Sequence, residues 1–401
     1  AIIPEAESAR PRACATAVEA LLRRRTSPRC RCATLGLRYT IMHIPDGYLS
    51  PLTSAALYAG AAPFWYVALR RVRAALHTRL VPLLSLFAAF SFVVMMFNIP
   101  LPGGTTGHAT GVALAAVVLG PWASVLAISV ALAIQAFFFG DGGITTLGAN
   151  CFNMAVAGSL AAWAVYRAVA GNAPLSSPRR AMAAGLAGYV AVNLAALLTA
   201  IEFGLQPMFF ADASGAPLYA PYPLRIAVPA MMLGHLTIAG LAELVVSAGV
   251  VAFIQRSDPS LLARGAGMTA PAAPGNGARG GSLRPLWAGL GILMVLAPLG
   301  ILAAGTAWGE WAAEDFNDPA ARQEIADASL GVAPPAAAPS GLDRLSAVWT
   351  APWPDYAPPF VRSARFGYVL SAVLGVGLVI LAFLLLERLG RPGRREGQAS
   401  G

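Results

Sequence analysis

Three residues in this chain have types and positions suited to holding a metal ion. His43 directly follows Met42, and His108 follows the run Gly103-Gly104-Thr105-Thr106-Gly107. If Met42 is the first residue of the mature chain, its free amine and the His43 amide nitrogen can close a five-membered chelate ring. Two imidazoles then complete a four-nitrogen set. Planar nitrogen donors suit Ni(II) or Cu(II), and imidazole also suits Co(II). The turn Pro45-Asp46-Gly47 can fold the strand back so that both His43 nitrogens point inward, and the glycines before His108 let backbone approach an ion closely. The blander readings are an incidental interfacial His43 and a helix-capping His108.

Other residues could support such a site. Asn150 and Asn153 are candidates to hydrogen-bond the non-coordinating histidine nitrogens, or to cap a helix, and Asp141 reads as a turn residue. His235 and Glu243, eight positions apart in one apolar segment, are ionisable groups at membrane depth. Direct pairing between them across two turns is not expected. They are candidates for docking to a coupling partner or for support of the site, and satisfied interhelical hydrogen bonding is the competing account. His77 reads as a solvated loop residue. The pairs Met95-Met96 and Met231-Met232 read as packing, because neighbours on a helix point in different directions.

The elements that must position these residues are membrane helices. The chain has 401 residues, 57% hydrophobic and 12% charged, against about 25% charged in ordinary soluble domains. Its apolar runs reach the roughly 20 residues that a membrane helix needs. All 28 basic residues are arginine, and eight of them fall in residues 1–41. The net charge of +9 therefore belongs to an N-terminal extension and to loops flanking membrane spans, not to a nucleic-acid surface. Without lysine the chain cannot form a Walker A loop or a Schiff base, so any ATP-driven step requires another polypeptide. Cys14, Cys30 and Cys32 lie in the extension, without zinc-knuckle spacing, and Cys151 stands alone. Residues 1–41 lack a continuous apolar core and do not read as a secretory signal. They are expected to be a removed segment or the product of a mis-assigned start.

Nine apolar segments follow, at about 52–69, 81–98, 108–120, 122–139, 149–167, 181–203, 224–254, 286–305 and 367–387. The third is short and forms a tight hairpin with the fourth across Gly120-Pro121. The seventh is long, with Pro229 as the expected bend. Arg70, Arg71, Arg73 and Arg79, then Arg167, Arg179 and Arg180, then Arg256, Arg264, Arg279 and Arg284, then Arg388, Arg391, Arg394 and Arg395 all fall on one side by alternation. The positive-inside rule makes that side the cytoplasm. Met42 and the loops 99–107, 140–148 and 204–223 then share the outer face. The expected fold is an all-α polytopic bundle of about seven capture helices plus a two-helix hairpin. Its parts are the extension 1–41, a metal-capture domain 42–255, a flexible linker 256–284, a two-span accessory domain 285–390 and a tail 391–401. The outer loop 306–366 carries eight acids against four arginines, which either concentrates cations or is an ordinary solvated loop.

Met42-His43-Ile44-Pro45-Asp46-Gly47, Gly103-Gly104-Thr105-Thr106-Gly107-His108 and Gly140-Asp141-Gly142-Gly143-Ile144-Thr145-Thr146-Leu147-Gly148-Ala149-Asn150-Cys151-Phe152-Asn153-Met154, in that order, resemble the CbiM/NikM family. These are substrate-capture subunits of nickel/cobalt energy-coupling-factor transporters. The resemblance covers about residues 42–255. The two-span C-terminal part, with Gly305-Thr306-Ala307-Trp308-Gly309-Glu310-Trp311, is less specifically similar to the small accessory subunit of such transporters. The resemblance implies Ni2+ or Co2+ held by Met42, His43 and His108, a transmembrane coupling subunit and paired ATP-binding cassette ATPases as partners, and a bacterial inner-membrane location. It implies neither enzymatic chemistry nor a nucleotide bound by this chain. The alternative expectation is a self-sufficient secondary metal permease.

Overall fold

The computed structural model describes residues 43–73, 80–266, 283–303 and 305–390. Met42, the extension with its three cysteines, His77, residues 267–282 of the linker and the tail lie outside the described residues.

The described chain is helical, with one small antiparallel sheet. Helix α1 is Pro51–Arg73, with proline in its first turn and Arg70, Arg71 and Arg73 in its last. Proline lacks an N–H that the first turn leaves unused, and cations suit a helix C-terminus. Helix α2 is Leu80–Val94. Strands β1 (Ile99–Leu101) and β2 (Thr105–Gly107) pair in register Ile99 to Gly107. Helix α3 is Val112–Leu119, with every residue buried, and α4 is Pro121–Ile134, continued by a π-helical turn Gln135–Phe139. The next helical run holds α5 (Leu147–Asn150), a π-helical stretch Cys151–Gly158 and α6 (Ser159–Ala170). Helix α7 is Pro178–Phe209. Then come α8 (Leu224–Gly234), a π turn His235–Ala239 and α9 (Gly240–Ser257). The C-terminal part has α10 (Arg284–Leu296, extended by a tighter turn Ala297–Leu302), α11 (Pro319–Ala328), α12 (Ser340–Leu345) and α13 (Ala364–Gly390).

Among the described residues, six helical runs are long and apolar enough to cross a membrane: Pro51–Arg73, Pro121–Phe139, Pro178–Phe209, Leu224–Ser257, Arg284–Leu302 and Ala364–Leu389. The protein is a multi-pass membrane protein. The short third segment is shorter still than its apolar run. Residues 108–111 are loop, and eight helical residues rise only about 12 Å, far less than a hydrocarbon core of about 30 Å. Helix α3 is therefore an internal strut wrapped by other helices. The long seventh segment is irregular at His235–Ala239, six residues beyond Pro229, which stays inside α8. A π turn inserts an extra residue per turn and recurs where a side chain must be re-aimed; here it begins on a histidine.

Helices α7 and α9 pack closely because α7 presents Gly185 and Gly188. A Cβ on Gly185 would lie 2.9 Å from the Leu244 carbonyl oxygen, and one on Gly188 would lie 2.8 Å from the Ser247 hydroxyl. Small residues that let backbones approach are the usual means of helix association in lipid. Cys151 is buried and free.

The loops expected on one face do meet. Thr106 N donates to Thr306 O, Gly143 N to Ile44 O, Ala220 N to Tyr48 O, Gly341 N to Leu218 O and Trp353 N to Phe138 O. The 306–366 loop is not simply solvated. It contains α11 and α12 and buries Trp308, Trp311, Phe316, Ile325 and Leu342 in one cluster with Ile44, Tyr48 and Phe203. Each aromatic ring removes roughly 150–250 Å² from solvent, so apolar contact is what holds this loop over the bundle.

Candidate metal centre

The strand bearing His43 is fixed on both edges. Ile44 N donates to the Asn150 side-chain oxygen at 3.1 Å, and Ile44 O accepts from the Asn150 amide at 3.2 Å and from Gly143 N at 2.9 Å. Asp46 accepts from Ile144 N at 3.1 Å, from Thr145 N at 2.8 Å and from the Thr145 hydroxyl. The Pro45-Asp46-Gly47 turn is therefore clamped to the 140–148 loop, and His43 is carried inward, 4% exposed.

The His43 ring is oriented by a carboxylate. Nδ1 lies 2.8 Å from Asp141 Oδ1. Oδ2 of the same group accepts from the Tyr356 hydroxyl at 2.6 Å and from Gln135 Nε2 at 3.3 Å, and Gln135 also donates to Tyr356 at 3.0 Å. Burial and the Asp141 charge hold the Tyr356 phenol well above its ordinary range, so it serves as a proton donor. With the carboxylate accepting on Nδ1–H, the lone pair belongs to Nε2, which is buried and has no hydrogen-bond partner. A carboxylate behind an imidazole fixes the tautomer and raises its basicity toward a metal.

His108 faces His43, with ring centroids 5.3 Å apart and planes at 58°. Its Nδ1 bonds the Ala109 carbonyl at 3.0 Å, which again places the ring's lone pair on Nε2. Burial, and next the neighbouring His43, lower His108 from 6.5 to about 4, so the ring stays neutral. The loop behind it is held by Glu243, fully buried, whose Oε2 accepts from Thr110 N at 2.5 Å, Gly111 N at 3.2 Å and the Thr110 hydroxyl at 3.2 Å. Ser247 donates to Oε1 at 3.1 Å. Glu243 thus satisfies amides that the start of α3 leaves without partners.

His43, His108 and His235 line one cavity of about 90 Å³. His235 bonds the Met231 carbonyl through Nδ1 at 2.9 Å. Asn150, Asn153, Thr105 and Thr106 also line it, as do Ala307, Trp308 and Glu310 of the 306–366 loop. Burial, and then the Asp141 carboxylate, push Glu310 well above the ordinary carboxylate range; a cation in the cavity acts in the opposite sense. No group of three His, Cys, Asp or Glu side chains that could hold a metal occurs among the described residues.

The structure rearranges the expected supporting roles. Asn150 bonds the Ile44 backbone and Asn153 bonds Thr199 and Glu202, so neither touches a histidine ring. The reason is local: the 140–154 segment brings Asp141 to the His43 ring, while the Asn150 amide is occupied by the Ile44 backbone and the Asn153 NH2 by Thr199 and Glu202. Asp141, read as a turn residue, is the group that orients His43. His235 and Glu243 have no bond to each other and serve different parts of the site. Tyr356, Gln135 and Glu310 were not singled out by the sequence. Gln135, an amide in a long apolar run, carried a signal. Tyr356, 215 residues from its partner, carried none. Met42 lies outside the described residues.

Residues 43–261 match the family described as the cobalt uptake substrate-specific transmembrane region, CbiM, and residues 284–391 match the PDGLE domain. The fused nickel transport protein NikMN of Rhodobacter capsulatus is 60% identical over 89% of this chain and 100% of its own length. The probable fused nickel transport protein LarMN of Lactiplantibacillus plantarum is 41% identical over 86% of this chain and 97% of its own. A crystal structure of a truncated transition metal transporter, 46% identical, superposes with a TM-score of 0.51 over 54% of this chain and 99% of that one. Two facing histidines on one cavity, six helical runs long enough to cross a membrane and these likenesses converge: the chain is a transporter rather than an enzyme, and it belongs to the CbiM family of metal-uptake membrane proteins, with a PDGLE domain fused behind the CbiM region.

Proposed function

We propose that this chain is the substrate-binding subunit of an ATP-driven nickel/cobalt uptake system of the energy-coupling-factor type, in a bacterial inner membrane with Met42 on the outer face. The observation that carries the proposal is the pair of His43 and His108, each with Nδ1 engaged and Nε2 left for the cavity. The donors are the Met42 amine, the His43 amide nitrogen and the two imidazoles. An ion arriving from outside loses its water beneath the outer loop and is held by this four-nitrogen set, which favours nickel. Amide deprotonation makes capture release protons. A transmembrane coupling subunit and its ATPases supply the work, since this lysine-free chain has no Walker A phosphate cradle of its own. Reorientation of the bundle then breaks the ligand geometry and frees the ion inward.

The test is equilibrium dialysis of the purified chain begun at Met42 against Ni2+ and Co2+, with N-terminal sequencing of the same sample. One ion per chain is expected for the wild type, with loss of that stoichiometry in His108→Ala. Unaltered binding by His108→Ala would sink the site as drawn. Metal uptake by this chain alone, abolished by a proton uncoupler, would favour the secondary-permease reading instead.

A further inference from the structure

Buried polar atoms without partners are rare in folded proteins, and each calls for an explanation. Three of them here, His43 Nε2, Asn153 Oδ1 and Glu310 Oε2, belong to residues lining the same cavity. The first is the ligand nitrogen described above. The other two are oxygens.

Both oxygens are held in place by surrounding structure. Asn153 is 1% exposed, and its NH2 end is spent on Glu202 at 2.9 Å and Thr199 at 3.1 Å. The oxygen is the end left over. Glu310 is half-buried and its backbone N–H donates to Ala307 O at 3.1 Å. Trp308 and Trp311 on either side are buried against Phe203, Tyr222 and each other, and the Tyr48 hydroxyl donates to Trp311 O at 2.9 Å. Gly309 has φ +85°, and a Cβ there would lie 2.3 Å from the Phe203 ring, so only glycine lets the chain turn Glu310 into the cavity. Among the residues lining this cavity, Glu310 is the one carboxylate.

We propose that Glu310 Oε2 and Asn153 Oδ1 form an oxygen station that receives the hydrated divalent ion before the nitrogen ligands take it. This rests on the metal-capture reading. A hydrated ion presents water hydrogens, which need acceptors, and neither of these two oxygens has a hydrogen-bond partner of its own. Carboxylate and carbonyl oxygens suit ions that keep their water, whereas nitrogen donors suit the stripped transition metal, so the two sets act in sequence. The station joins the two fused parts of the chain, one oxygen from each.

The experiment is stopped-flow association of Ni2+ with the full chain begun at Met42, in nanodiscs. The chains compared are wild type, Glu310→Gln, Glu310→Asp and Glu314→Gln. Glu314 is exposed on the same loop, so its variant makes the same side-chain change away from the cavity. Glu310→Gln is expected to bind one ion with association slowed about tenfold, the rate equivalent of one lost hydrogen bond. Glu310→Asp is expected to recover part of the rate, and Glu314→Gln to match wild type. Equal rates for wild type and Glu310→Gln, or equal slowing by Glu314→Gln, would overturn the proposal. So would a loss of saturating stoichiometry in Glu310→Gln, which marks a structural role. A wild type that binds no ion overturns the metal-capture reading together with this one, whereas normal wild-type binding with an unaffected Glu310→Gln overturns this one alone.

Discussion

Asp141 holds the His43 ring through a 2.8 Å contact to Nδ1, across 98 residues of sequence. The same carboxylate is gripped from the other side by Tyr356 of the fused C-terminal part. The ring that faces the cavity is thus aimed by both halves of the chain.

Asp141→Asn keeps the size of the side chain and removes its charge. The tautomer and orientation of the His43 ring are then no longer fixed. Nickel affinity measured by equilibrium dialysis is expected to fall 10–100-fold, the usual cost of losing an orienting partner behind a metal ligand. Unchanged affinity would mean that the carboxylate is structural only.

Tyr356→Phe removes one donor to Asp141 but keeps the ring stacked on Phe139, 4.8 Å away at 20°. A loss of about 1 kcal/mol in stability is expected, with a fall in nickel affinity smaller than that of Asp141→Asn. In a double-mutant cycle the two losses should not add, because both act on one carboxylate. Additive losses in a titration series would place Tyr356 outside this relay.

Glu243→Gln puts an amide where Thr110 and Gly111 need an acceptor with two free lone pairs. The predicted cost is about 1–3 kcal/mol of stability, read by thermal melting. Metal affinity should drop with it, since the loop that loosens carries His108. A variant with lowered melting temperature and intact affinity would separate Glu243 from the site.

Acid should destabilise the metal-free chain through His108. Its folded-state value of about 4 lies below the ordinary 6.5 because of burial and then His43. Between those values the unfolded chain binds a proton that the folded chain refuses. The contribution to stability is complete above about pH 6.5 and is lost as pH falls through about 4. Its ceiling is on the order of 3 kcal/mol. Melting temperature should fall over that window, and His108→Ala should flatten the fall.

Six of the nine apolar segments prove long enough to cross a membrane, and these and the histidine positions were legible in the sequence because their signals are local. Apolar runs, arginine clusters between them, and glycine-rich segments before His108 need no knowledge of the fold. The π turn at His235–Ala239 was not legible: proline at 229 gave a stronger local reason for a bend, yet α8 absorbs it, and the break follows the packing of α9 on α7. The exchange of roles between Asp141 and the asparagines was equally hidden. All three are short polar residues in one segment, 140–154, and only the tertiary turn decides which faces the ring. Tyr356 depends on a left-handed backbone at Asp355 and Tyr356, with φ +57° and +56°, a conformation that residue types alone do not announce.

The 306–366 loop and the bundle it covers share one polypeptide, so the loop's aromatic anchors never diffuse away. Joined in this way, they meet their seats at an effective concentration in the millimolar range or above, which a free subunit would not reach in a cell. Covalent attachment thereby fixes the ratio at one cover to each bundle, whatever the expression level of the chain.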